Sequence, residues 1–176
     1  MTIARLRAAS ALALVIAAGA AAAQAGPEPA SEATRGKQRS VTATLPPEGT
    51  RDAADSARGF LATRKDPVIL APDGKPVWNL DAYAFVTGPA PDTVNPSLWR
   101  HMTHLKRHGL FEVTKNMWQV RGFDVSNMTV IRGQTGWIII DPLTTVEAAK
   151  AALELVNATL GARPVSAVLY SHSHGD

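Results

Sequence analysis

Apolar positions change their spacing several times along this chain, and each change predicts a different element. From Ala8 to Ala23 the run AASALALVIAAGAAAA is uncharged; Arg5 and Arg7 precede it, and Ala23-Gln24-Ala25 closes it before Gly26. A basic start, a short apolar stretch and an A-x-A site are what a signal peptidase reads, so residues 1–25 are expected to be a cleaved signal peptide. The run falls short of the about 20 residues that span a bilayer, so no stable membrane anchor is expected. Residues 26–50 show no period that buries a face and read as a flexible lead-in. Asp52 to Arg64 is weakly helical, with Ala53, Ala57, Phe60 and Leu61 on one side. Val68-Ile69-Leu70 and Val77-Trp78 flank the turn Ala71-Pro-Asp-Gly74, the pattern of a small hairpin. After the proline-punctuated loop 88–96, Ser97 to Gly109 predicts a helix capped by Ser97 and closed by Gly109. Residues 51–109 thus form an amino-terminal extension of helices with a possible hairpin.

From Leu110 the period becomes two. Phe111–Val113, Met117–Val120, Met128–Ile131 and Trp137–Ile140 alternate as strands, broken at Lys115-Asn116, Gly122 and Gly133–Gly136. Trp137–Ile140 reads as a strand buried on both faces. Thr144-Thr-Val-Glu147 then resembles a capping box, opening a helix with Ala149, Ala152, Leu153, Val156 and Leu160 in phase up to Gly161. Val165–Tyr170 follows as a second buried strand. Strand, helix and strand make a parallel crossover, so the class is α/β (α+β), and whatever follows Tyr170 sits at the carboxyl end of a parallel strand.

Composition narrows the chemistry. The chain has 45% apolar and 19% charged residues, enough to form a core. Its net charge is +3, and without Arg5 and Arg7 the basic excess falls to one, too little for a nucleic-acid footprint. There is no cysteine, so a metal would be held by His, Asp or Glu. His101, His104 and His108 would share one helical face, but no carboxylate accompanies them, and a solvated polar row is the simpler reading.

The strand exit carries more. Ser171-His-Ser-His-Gly-Asp176 places two imidazoles two residues apart with a carboxylate two residues on, the donors Zn²⁺ accepts. The segment resembles the start of the H-x-H-x-D-H signature of the metallo-β-lactamase superfamily, and the chain stops inside that motif. Asn95-Pro-Ser-Leu-Trp-Arg100, His108-Gly-Leu-Phe-Glu-Val113, Gln119-Val-Arg-Gly-Phe-Asp124, Ser126-Asn-Met128 and Gly136-Trp-Ile-Ile-Ile-Asp-Pro-Leu143 extend the likeness, over roughly residues 52–176, to the zinc-dependent alkyl sulfatases of that superfamily.

This resemblance implies an amino-terminal part of an αββα sandwich, truncated at the first metal loop, with residues 110–176 the first part of the metallo-β-lactamase-like domain. It implies two zinc ions in the complete site, with His172 and His174 on the first and Asp176 on the second, where Asp176 also counts as catalytic. Asp141 matches an acidic position that supports the ligand loop. The implied reaction of the full-length protein is hydrolysis of alkyl sulfates such as dodecyl sulfate to alcohol and inorganic sulfate, in the periplasm or outside the cell. A small-molecule alkyl sulfate is the expected partner, and a homodimer the expected assembly. The 176-residue chain alone is expected to be inactive. The alternatives are another hydrolase of the superfamily (lactonase, thioesterase or β-lactamase) and a non-catalytic truncated remnant. Trp78, Phe85, Trp99 and Phe111 are candidates for a greasy channel or for the core.

Overall fold

Residues 28–176 are described by the computed structural model, so the expected signal peptide at 1–25 lies outside the described residues. Four helices are present among them: α1 Glu32–Thr44, α2 Thr50–Ala57, α3 Pro96–Leu105 and α4 Val146–Leu160. The strands are β1 Phe60–Ala62, β2 Val68–Leu70, β3 Pro76–Asn79, β4 Gly109–Thr114, β5 Met117–Arg121, β6 Met128–Arg132, β7 Trp137–Ile140 and β8 Val165–Leu169. One sheet has the order β1-β4-β5-β6-β7-β8, and β2 pairs with β3 as the expected hairpin.

The two-residue period from Leu110 does produce an antiparallel meander, β4 to β7. Register rows put Leu110, Val120 and Met128 side by side, and Trp118, Val130 and Ile139 beside them. All six are buried, because alternate strand residues share one face and α4 covers that face with Ala148, Ala151, Ala152, Leu155 and Val156. The three alanines allow close approach of helix to sheet. Trp137 is fully buried at the centre, edge-on to Trp118 at 5.8 Å, and its indole N–H donates to Asn157 Oδ1 at 2.8 Å. Strand β8 joins β7 in parallel after α4, as the crossover requires. The meander is thereby mixed α/β, with helix on sheet.

Several expectations need correction. Residues 32–44 of the expected flexible lead-in are helical: Ser31 caps α1 by accepting from Thr34 N–H, and Glu32 pairs with Arg35 and Arg39. No residue of α1 is buried, which is why apolar periodicity gave no sign of it. The helix expected over 52–64 stops at Ala57, and Phe60 and Leu61 enter β1, which pairs with β4. The cap of α3 is Asn95, not Ser97, with its Oδ1 accepting from the N–H groups of Ser97 and Leu98. That helix ends at Leu105, and Gly109 opens β4. His108 therefore leaves the helical face of His101 and His104; its ring bonds to Thr63 Oγ1 and Asp81 Oδ1. The cap of α4 is Thr145, accepting from Ala148 N–H, so the Thr144–Glu147 box is displaced by one residue. Strand β7 is buried on one face only, through Trp137 and Ile139, while Ile138 and Ile140 are half-buried. Strand β8, expected to be buried, is exposed along its length because it forms the edge of the sheet.

Direction now matters for the site. Strand β5 is antiparallel to β6, β6 to β7, and β7 parallel to β8. The carboxyl ends of β5, β7 and β8 consequently open on one rim of the sheet.

Candidate metal centre

The rim is shaped by backbone that ordinary residues resist. Asp141 leaves β7 at φ 53° and Leu143 follows at φ 74°, both in the left-handed region. Aspartate tolerates this conformation, whereas a leucine there is strained and must be held by its surroundings. Leu143 is held in two ways: its side chain is buried, and the next residue is clamped by Asp124. Asp124 Oδ2 accepts from Thr144 N–H at 2.6 Å and from the Thr144 hydroxyl, while Oδ1 accepts from Val125 N–H at 2.6 Å. This buried carboxylate ties the loop after β5 to the loop after β7. Nothing in a single stretch of sequence signals the pairing, which joins residues twenty apart.

Asp141 makes the next link. Its backbone N–H donates to Leu169 O at 2.9 Å, and its Oδ1 accepts from Ser171 N–H at 2.8 Å. The bond from the Ser171 backbone, then that of the Ser171 side chain, holds the Asp141 carboxyl below the usual carboxylate range, and the charge of His172 adds to this. An ionised Asp141 thus fixes the first residue of the loop that carries both histidines.

Within that loop the three expected donors come together. His172 Nε2 lies 3.1 Å from His174 Nδ1 and 3.6 Å from Asp176 Oδ1, and His174 Nδ1 lies 4.0 Å from that oxygen. The rings stand edge to face, with centroids 4.8 Å apart. His172 Nδ1 faces Ser171 Oγ at 3.1 Å, so the Nε2 side is turned inward. Four-coordinate zinc with bonds near 2.1 Å separates its ligand atoms by about 3.4 Å. The two imidazole nitrogens, 3.1 Å apart, stand near that value as a pair on one ion requires, and Asp176 Oδ1 lies close enough to serve the same or an adjacent ion, in a donor set that zinc accepts. Both histidines are exposed and Asp176 is half-buried, so the triangle faces an open side. His101, His104 and His108 contribute nothing to it.

The aromatic candidates separate. Phe111 is buried, with Phe60 edge-on at 5.4 Å, and Trp78 is half-buried with its indole donating to Gly122 O. Phe85 is exposed, 6.1 Å from Trp99. Among the described residues no helix is long and apolar enough to cross a membrane.

Comparison with known proteins shows what the chain is similar to. Residues 121–176 match the model of the metallo-beta-lactamase superfamily. The chain is 44% identical over 137 residues to alkyl/aryl-sulfatase BDS1 of Saccharomyces cerevisiae, covering 77% of this chain and 21% of that protein. It is 40% identical over 151 residues to a linear primary-alkylsulfatase of Pseudomonas sp, covering 85% and 22%. It is 42% identical over 150 residues to an (R)-specific secondary-alkylsulfatase of Pseudomonas sp, again 85% and 22%. Among solved structures, the stereoselective inverting sec-alkylsulfatase Pisa1 from Pseudomonas sp. superposes with a TM-score of 0.79 at 42% identity, over 86% of this chain and 24% of that one. The chain is similar to alkylsulfatases along most of its own length and spans about a fifth of theirs.

Proposed function

We propose that the whole protein hydrolyses alkyl sulfate esters of the dodecyl sulfate kind to the alcohol and inorganic sulfate, at a zinc centre to which His172, His174 and Asp176 contribute. The observation that carries the proposal is the triangle of donor atoms at the exit of β8, 3.1 to 4.0 Å on its sides, in a chain 40–44% identical to alkylsulfatases. Zinc, when bound, offsets the charge of the sulfate group and lowers the pKa of a bound water toward ~7. Two ions fit the reading from sequence, with the remaining ligands supplied by other parts of the protein.

The residues present divide the work. His172 presents Nε2 and His174 presents Nδ1 on the same side, so each offers one ring nitrogen toward a shared ion. Asp176 supplies an anionic oxygen beside them, and we assign it the catalytic role together with metal binding. Asp141 positions the loop through Ser171 N–H, at one remove from the metal. The leader at 1–25 supports export to the periplasm or beyond, and a homodimer is the assembly we expect.

Release of sulfate and dodecanol from dodecyl sulfate by the whole protein tests this, with a β-lactam and a lactone assayed in parallel. Turnover of the sulfate ester, abolished by a chelator and restored by zinc, is the expected result. Turnover of the lactam or lactone with none of the sulfate ester would transfer the protein to another branch of the superfamily.

A further inference from the structure

A cavity of about 540 Å³ lies between α2, α3 and the end of β5, and three arginines line it: Arg100, Arg107 and Arg121. Among the described residues none of them has a carboxylate at ion-pair distance. Their bonds go to neutral acceptors instead: Arg100 Nη1 to Pro46 O at 2.6 Å, Arg107 Nε to Ser56 Oγ at 3.0 Å, and Arg121 Nε to Gln119 Oε1 at 2.7 Å. Each guanidinium offers five N–H donors in a planar fork, so most of these donors remain for something else. Two carboxylates share the wall, Asp52 and Asp55, but Asp55 is already engaged by Arg51 and Arg58. Asp52 alone cannot offset three guanidinium charges. His101 and His104, one helical turn apart on α3, add two imidazoles to the same wall.

Arg121 is the most confined of the three. Its guanidinium lies 4.5 Å over the Phe111 ring, which fixes it against the sheet, and removal from water disfavours its charge. A partly desolvated cation with unfilled donors gains from an anion that returns those bonds. The position of the cavity is also defined: the ends of β5 and β8 share a rim and stand three strand spacings apart, about 14 Å. The cavity therefore opens on the same rim as the His–Asp triangle without sharing a residue with it.

We propose that this cavity is a second anion site, which takes a tetrahedral oxyanion of the sulfate and phosphate class, free or as the head group of a sulfate ester. The site stands independently of the hydrolytic reading, because its residues and its readout involve neither the donor triangle nor turnover.

Calorimetry on the metal-stripped whole protein tests it, with ionic strength held constant by chloride and with inorganic sulfate, inorganic phosphate and methyl sulfate as probes. Saturable binding of sulfate is expected, weakened about tenfold by Arg121→Gln and by Arg107→Gln through loss of charge-assisted bonds. The double variant His172→Ala, His174→Ala should bind sulfate as the parent does. Arg107→Lys keeps the charge and should retain part of the affinity, and unfolding midpoints without sulfate show whether each variant is folded. Methyl sulfate binding as tightly as sulfate assigns the site to ester head groups, whereas a marked preference for sulfate or phosphate assigns it to free dianions. Sulfate affinity unchanged in the folded arginine variants, or lost in the histidine double variant, would overturn the proposal.

Discussion

Asp141 sits where one side chain and one strained backbone position decide the placement of a loop. Its carboxylate holds Ser171 N–H from a left-handed conformation, so removing the carboxylate should free the His172–Asp176 loop while leaving the sheet intact. Asp141→Ala in the whole protein is expected to weaken zinc about tenfold or more, as loss of a supporting partner typically does, and competition titration against a chromophoric chelator measures it. Because hydrogen bonding keeps this carboxyl below its ordinary range, the tether contributes to stability above the unfolded value and is lost as the pH falls through the folded one. Asp124 acts one step further back. Asp124→Ala strands the N–H groups of Val125 and Thr144 and relaxes the hold on Leu143, so a loss of about 3 kcal/mol in chemical denaturation is expected, with Asp124→Asn costing less. The histidine pair was legible because donors two residues apart on one extended segment reach one point. The Asp124–Thr144 clamp was not, since it depends on which two loops the sheet brings together.

Elements obey the same distinction between local and assembled signals. The strands of the meander were legible because alternation reports the buried face directly, and Leu110, Trp118, Val120, Val130 and Ile139 all lie on it. Helix α1 was not legible, since it buries nothing and stands on its Ser31 cap and its Glu32 ion pairs. The start of α4 was misplaced by one residue because two successive threonines offer equal caps, and the choice falls to Thr145 once Asp124 holds Thr144. Thr145→Ala should therefore cost about 1 kcal/mol, whereas Glu147→Ala should cost no more than about 0.5 kcal/mol through its weaker interaction with the helix dipole; urea titration separates them. Gly136 governs the approach of β7 to β8. A Cβ there would lie 2.2 Å from Pro164 O, so Gly136→Ala must push the parallel pair apart. Trp137 donates its backbone N–H to the same carbonyl at 2.7 Å, and that bond goes with it.

At the scale of the molecule the sheet has one finished face and one open edge. Helix α4 closes the finished face, while β8 leaves Val165 and Val168, in register with Trp137 and Ile139, and Leu169, in register with Ile140, at 40–52% exposure, with Tyr170 just past its end at 58%. Runs of apolar residues predicted this strand well and its burial wrongly, because the pattern reports what a strand is built to contact and says nothing of whether the contact is present. An apolar edge strand with free N–H and C=O groups is a template for pairing. Prepared as residues 28–176, the chain is therefore expected to associate with itself in a concentration-dependent way, visible in sedimentation velocity. Val168→Lys places a charge on that edge at a side chain 46% exposed, whose stem can lie along the sheet while its ammonium stays in water. It should shift the distribution toward monomer, as charged edge residues do in natural sheets. Leu155→Lys, which buries the same charge under the sheet, should instead unfold the chain. If Val168→Lys leaves association unchanged while the protein stays folded, the contact lies elsewhere than on β8.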